Sequence, residues 1–417
     1  MNRALQHGFL SLSLAAALAA TAGCGANSSS PTNTGGGGNT GSGSPVSNVQ
    51  SITVNTGPTA GAPYNNPYVD GAFTSVTVCA PGSTSNCQTI NGILVDTGSS
   101  GLRILSSALT ISLPQQNGSD GNPIVECFPF IDGTTWGPVA TTDLTIAGEK
   151  AKSLPIQVIG SSNFPTVPES CASYGPPEED LADLGANGIL GVGTYAQDCG
   201  SACTVSGASN PGVYYECPSS GCQVTAESIS SQVPNPVILF ATDNNGVLIQ
   251  LPSVSGAETT VTGSLIFGIG TQSNNALGSA TVYTLDPSSG NFTTVYNGFS
   301  YTNSSFIDSG SNGIYFLDSN TTGIPACADA TYWYCPSSTQ NLSATNQGTN
   351  GATGSVSFVV GNADTLTANP SDAAINGLAG PNSGTFDWGL PFFFGRTVFT
   401  SIEGQNSPGG QVPYWAY

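Results

Sequence analysis

The chain has 417 residues, a formal net charge of −20, and 5 Lys and Arg against 25 Asp and Glu. That balance excludes nucleic acid and anionic membrane surfaces as partners, because each needs a basic face to bind. The one His is His7, close to the amino terminus, so Ser-His-Asp or Cys-His hydrolysis and His-ligated zinc or iron are excluded from the body of the protein.

Residues 1–23 read as a signal peptide. Arg3 supplies the positive start, and Phe9 to Ala20 is an apolar run too short to span a membrane. Its end, Thr21-Ala22-Gly23-Cys24, resembles a bacterial lipoprotein box with Thr21 where Leu is usual, so Cys24 is the expected lipidation site. A plain signal peptide cut nearby is the alternative. Residues 24–48 are rich in Gly, Ser, Asn, Thr and Pro and cannot bury enough surface to fold. They read as a flexible tether. The expectation is an exported lipoprotein, periplasm-facing or on the cell surface at the outer membrane, touching the bilayer only through its N-terminal lipid.

Beyond the tether the pattern is all-β. Ser75–Val78, Asp143–Ile146, Pro155–Ile159 and Ser355–Val360 alternate or cluster β-formers, with Gly, Pro, Asn and Asp between them. No segment sustains a helical period; Leu181 to Leu184 suits one helical turn. Setting Cys24 aside, ten of the 11 cysteines remain, an even number expected to pair after export. Local pairing gives Cys79–Cys87, Cys199–Cys203, Cys217–Cys222 and Cys327–Cys335, leaving Cys127–Cys171. A zinc site from Cys199, Cys203, Cys217 and Cys222 competes with that pairing. Tyr195 to Pro236 reads as an irregular, disulfide-stapled insertion.

One stretch organises the rest. Ile93-Leu94-Val95-Asp96-Thr97-Gly98-Ser99 returns as Phe306-Ile307-Asp308-Ser309-Gly310-Ser311. An acid ending a buried apolar strand costs several kcal/mol unless compensated, so two such acids suggest a pair with a task. Ser, Thr and Gly are frequent enough that the tripeptide recurs by chance, and context must carry the reading. Asn187-Gly188-Ile189-Leu190-Gly191 follows the first copy, and Pro391-Phe392-Phe393-Phe394-Gly395 follows the second.

With these motifs the chain resembles the pepsin-like, bilobed aspartic peptidases over about residues 64 to 405, within a family of uncharacterised exported bacterial proteins. In that group a hydrophobic-hydrophobic-Gly segment passes beside each aspartate loop, which assigns Asn187 to Gly191 to the first and Pro391 to Gly395 to the second; Gly263–Gly268 and Phe394–Phe399 match further ordered segments. The resemblance implies two pseudo-symmetric pepsin-like lobes, residues 49–275 and 276–417, with a central cleft. It implies that Asp96 and Asp308 share a proton and activate a water, and it calls for no cofactor and no metal. Thr97 and Ser309 match positions that brace the two loops; Ser99 and Ser311 match positions that bond the outer carboxylate oxygens. Gly98 and Gly310 let backbone N–H groups approach the acids.

Two departures concern the hairpin that covers the cleft in that group. Phe130 stands where a Tyr is expected, with Trp136 as an alternative cover. Arg103 replaces the aromatic residue that bonds this Tyr. Near the cleft Arg103 favours acidic substrate groups; as part of an ion pair it is structural. The function implied is an exported, monomeric aspartic endopeptidase acting on a peptide or protein substrate. The alternative is a pepsin-like binding or surface module without turnover. A two-carboxylate glycosidase ranks third, since such pairs stand about 5 Å or more apart.

Overall fold

The structure, a computed structural model, describes residues 47–58 and 67–417. The signal peptide, Cys24 and the tether up to residue 46 lie outside the described residues. The fold is all-β. A 15-stranded sheet and a 7-stranded sheet hold nearly all the strands, and one two-stranded ribbon completes the set. The four runs of β-formers fall in strands Ala72–Cys79, Thr134–Ile146, Glu149–Ile159 and Thr353–Val360. α-Helix among the described residues is limited to single turns such as Leu181–Leu184. Asp180 caps that turn by accepting from the Ala182 and Asp183 amides, and Gly185 ends it at φ 69°.

The large sheet draws on both ends of the chain. Strand Val49–Val54 pairs with Val261–Phe267, which pairs with Gly246–Gln250; next to that lie Thr397–Ser401, Tyr414–Ala416 and Val282–Thr284. At its other edge, strands Tyr214–Glu216 and Gln223–Val224 of the insertion extend the hairpin formed by Ile124–Pro129 and Thr134–Ile146.

Each aspartate loop follows the same local arrangement. Strand Cys87–Asp96 runs parallel to Gly188–Val192, which is antiparallel to Ser100–Leu105. Strand Phe299–Ile307 runs parallel to Asn382–Trp388, which is antiparallel to Ile314–Leu317. Asp96 is level with Gly191, and Ile307 with Trp388, so Asp308 is level with Gly389. This corrects the sequence assignment: the segment beside the second loop is Asp387-Trp388-Gly389, not Pro391 to Gly395. Leu390–Phe393 instead forms a buried 3-10 turn just beyond it, where Pro391 has no N–H to give a sheet. Gly389 is required, because a Cβ there would lie 2.0 Å from the Gly313 carbonyl oxygen.

Phe386 and Trp388 stack at 4.4 Å and pack with Phe316 and Phe358 in the core behind the second loop. The intervening Asp387 therefore faces the other side of the sheet.

All five expected disulfides are present: Cys79–Cys87, Cys127–Cys171, Cys199–Cys203, Cys217–Cys222 and Cys327–Cys335. Cys79 and Cys87 face each other across a hairpin, where the strand register alone brings them together. The zinc reading is overturned, since its four cysteines form two disulfides and offer no thiolate. The same holds for Cys327 and Cys335 beside Asp364.

Candidate active site

Asp96 ends its strand in the large sheet, and Asp308 follows its strand in the small one. The two loops interlock. Thr97 Oγ1 donates to the Ile307 carbonyl at 2.9 Å and accepts from the Ser309 amide at 2.9 Å. Reciprocally, Ser309 Oγ donates to the Val95 carbonyl at 2.7 Å and accepts from the Thr97 amide at 3.2 Å. Thr97 and Ser309 are 2% and 0% exposed, so no water competes for these four bonds.

The brace fixes the acids. The Gly98 amide donates to Asp96 Oδ1 at 2.7 Å and to Asp308 Oδ1 at 3.1 Å, so one N–H serves both inner oxygens. The Ser99 amide adds a 3.2 Å bond to Asp96 Oδ1, and the Gly310 amide donates to Asp308 Oδ1 at 2.7 Å. Each outer oxygen takes a hydroxyl: Ser99 Oγ donates to Asp96 Oδ2, and Ser311 Oγ to Asp308 Oδ2 at 2.9 Å. The structure thus brings together Asp96, Asp308, Thr97, Gly98, Ser99, Ser309, Gly310 and Ser311 in the positions the sequence motifs assign them.

Two carboxyls this close cannot both ionise readily. Burial, the charges of Asp96 and Asp387, and a hydrogen bond with Asp96 all hold the Asp308 carboxyl well above the usual carboxylate range. The pair titrates as a unit. Room beside it is tight. A Cβ on Gly98 would lie 2.6 Å from Asp308 Cγ, so Gly98→Ala must separate the acids. We expect that variant to fold yet lose at least ~100-fold in any dyad-dependent rate, read by steady-state kinetics beside a thermal melt.

Arg103 is not placed to meet substrate. It is 0% exposed, with its guanidinium on Glu126 at 2.6 Å and Asp198 at 3.1 Å. Phe128 covers the guanidinium at 3.6 Å, and Nη1 donates to the Ser100 carbonyl at 2.9 Å. Of the two readings of Arg103, the ion pair is the one observed. Trp136 is not free to act as a cover either. It is 1% exposed, packs edge-on against Tyr215 at 5.2 Å and donates to the Phe164 carbonyl at 2.9 Å. It sits on the strand's buried face, beside the Cys127–Cys171 disulfide. Phe130 lies at the hairpin tip, half-buried against Phe128 at 4.9 Å and packed on the cluster of Phe73, Leu94 and Leu184. Ile131 beside it is exposed.

Two residues near the acids were missed from sequence. Tyr68 packs edge-on against Phe73 at 5.3 Å; burial, and the charges of Asp132, Glu178, Asp308 and Asp96, hold its phenol protonated. It therefore lies within electrostatic reach of both the hairpin tip and the aspartates. Nothing in its Pro- and Asn-rich surroundings signals this. Asp387 is the other. It is 2% exposed and level with Phe306 on one neighbouring strand and Tyr315 on the other. Burial and the Asp96 charge push its carboxyl up to about 8. A lone Asp inside an aromatic run was the available signal.

A family model matches residues 44–417 of the chain. The chain belongs to the family described as protein of unknown function (DUF3443). That match spans both aspartate loops, both strands that flank them and all five disulfides. No curated protein matches the chain.

Proposed function

We propose that this protein is an exported aspartic-type endopeptidase of pepsin-like, two-lobed build. The observation that carries the reading is the single Gly98 N–H shared by Asp96 and Asp308 across the interlocked loops. Such a pair holds one proton between two acids. The ionised member takes a proton from water as it attacks a carbonyl; the protonated member donates to the developing oxyanion. The short approach favours this chemistry over glycoside hydrolysis, whose carboxyls stand farther apart. Which acid carries the proton belongs to the pair rather than to one residue. No cofactor or metal enters the scheme, and the substrate is an extended peptide or unfolded protein segment.

Five disulfides support residence in an oxidising compartment. With Cys24 as the lipidation site and residues 24–48 as a tether, the reading is a monomeric lipoprotein facing the periplasm or cell exterior. The second reading, a binding module without turnover, draws on Phe130 and Arg103: neither supplies the hydroxyl-to-indole bond of the resembling peptidases' hairpin.

The test is hydrolysis of a mixed peptide library between about pH 3 and pH 7, with and without a statine-type transition-state mimic. The active pair carries one proton. Activity should fall at low pH as both carboxyls become protonated, and fall again as pH rises through the raised Asp308 value. Cleavage blocked by the mimic supports the endopeptidase. Binding of the mimic without cleavage supports the module; neither cleavage nor binding sinks both.

A further inference from the structure

Asp387 is a third acid at the site, and the two-carboxylate scheme gives it no task. It belongs to strand Asn382–Trp388, whose neighbours Phe386 and Trp388 fill the core on the opposite face. It is 2% exposed, and its Oδ1 has no hydrogen-bond partner. The titratable groups that face it are Asp96, Asp308 and Tyr315. None is a cation. Among the described residues the fully buried base, Arg103, is committed to Glu126 and Asp198. Ser311 lies within hydrogen-bonding reach of Asp387.

Ser311 has a single hydroxyl proton and two acceptor lone pairs. That proton goes to Asp308 Oδ2 at 2.9 Å. It cannot also serve an ionised Asp387. A carboxylate there would be buried, unpartnered at Oδ1 and beside two other acids, which is the costliest state for the site. The uncharged acid resolves this, since its O–H can donate to a free lone pair of Ser311.

Resting on the dyad reading, we propose that Asp387 is a positioning residue: as the neutral acid it donates to Ser311 Oγ and so commits the Ser311 hydroxyl to Asp308. The direction of its ionisation agrees, since burial and the Asp96 charge both favour the protonated form. Loss of that proton reverses the chain of bonds. Ionised Asp387 competes for the Ser311 hydroxyl, and Asp308 loses the donor that fixes its outer oxygen. The site therefore has an upper pH limit set by two acids.

The experiment compares Asp387→Leu, Asp387→Asn, Ser311→Ala and Asp387→Leu/Ser311→Ala on a peptide that the wild type cleaves. Asp387→Leu should lower kcat about 10- to 100-fold with KM within about threefold, because the loss is of orientation rather than binding. Asp387→Asn should restore most of that loss, as its amide donates to Ser311 in the same way. The double variant should fall no further than the worse single one, since both act through one hydroxyl. The alkaline limb of kcat/KM should approach a two-proton slope in the wild type and one proton in Asp387→Asn. Wild-type kcat in Asp387→Leu, or an unchanged limb in Asp387→Asn, overturns the inference while leaving wild-type hydrolysis standing. Stability gives a readout that needs no turnover. An acid with a raised folded-state pKa loses its contribution as pH rises, so wild-type stability should fall relative to Asp387→Asn between about pH 4 and pH 8. Parallel stability curves would overturn the neutral acid even if the wild type cleaves nothing.

Discussion

Replacing either Asp96 or Asp308 with Asn should lower kcat/KM for peptide cleavage about 10⁴-fold, and replacing both should cost little more. The non-additivity follows from the geometry. One Gly98 amide bonds both inner oxygens, and Asp308 is hydrogen-bonded with Asp96. An Asn at either position leaves a lone carboxyl that cannot both take a proton and lend one. The amide is isosteric with the acid, so the Thr97–Ser309 brace remains and the melting temperature should change little. Kinetics and a melt on the same preparations decide the matter. A single Asn variant retaining a tenth of the activity would mean that the acids do not act as one unit.

The second large effect is on stability. Arg103→Met should cost about 3–5 kcal/mol, because it strands buried carboxyls that the guanidinium now faces. Glu126 and Asp198 are both 0% exposed in their side chains, and Tyr214 Oη donates to both Asp198 oxygens at 2.8 Å. Burial and Glu126 already hold Asp198 well above the usual carboxylate range. Without Arg103 the group's folded-state pKa rises further above its unfolded value. Stability from such acids is present below the unfolded pKa and lost as pH rises. The deficit of Arg103→Met should therefore be smallest in acid, where the carboxyls are protonated with or without Arg103, and should grow as pH rises through the raised Asp198 value. Adding Glu126→Gln and Asp198→Asn should recover most of it. Urea unfolding with disulfides intact measures both. A deficit of about 1 kcal/mol or less at neutral pH would mean that the three charges are solvated and not a buried network.

The acids, their loops and four of the five disulfides were legible because each is local in sequence; Cys127–Cys171, 44 residues apart, was the pair left over. Asp-hydroxyl-Gly fixes a turn with two amides aimed at one carboxylate, and a short Cys spacing across a hairpin leaves one partner within reach. What failed was whatever depends on facing. The segment beside Asp308 was misplaced because Pro391 to Gly395 is more apolar than Asp387-Trp388-Gly389, and strand pairing follows register rather than hydrophobicity. Trp136 looked like a cleft cover from its position near a turn. Strand alternation instead put it on the inner face with Tyr215. Arg103 was ambiguous because its partners lie 23 and 95 residues away. Separation in sequence likewise hid Tyr68, which reaches the site only through tertiary packing.

The interlocked loops bear on how the chain assembles. Thr97 and Ser309 are 212 residues apart, and their four bonds cross spans of 210 to 214 residues. A chain that folds from its amino end as it emerges can complete the first loop early, yet that loop then holds one carboxylate and two unbraced backbone groups. The paired acids come into being only when the second loop docks, a late contact of high sequence separation. A fragment ending before Ser309, or an intermediate with only one half formed, has no partial version of the site. Competence arrives in one step with the last long-range closure.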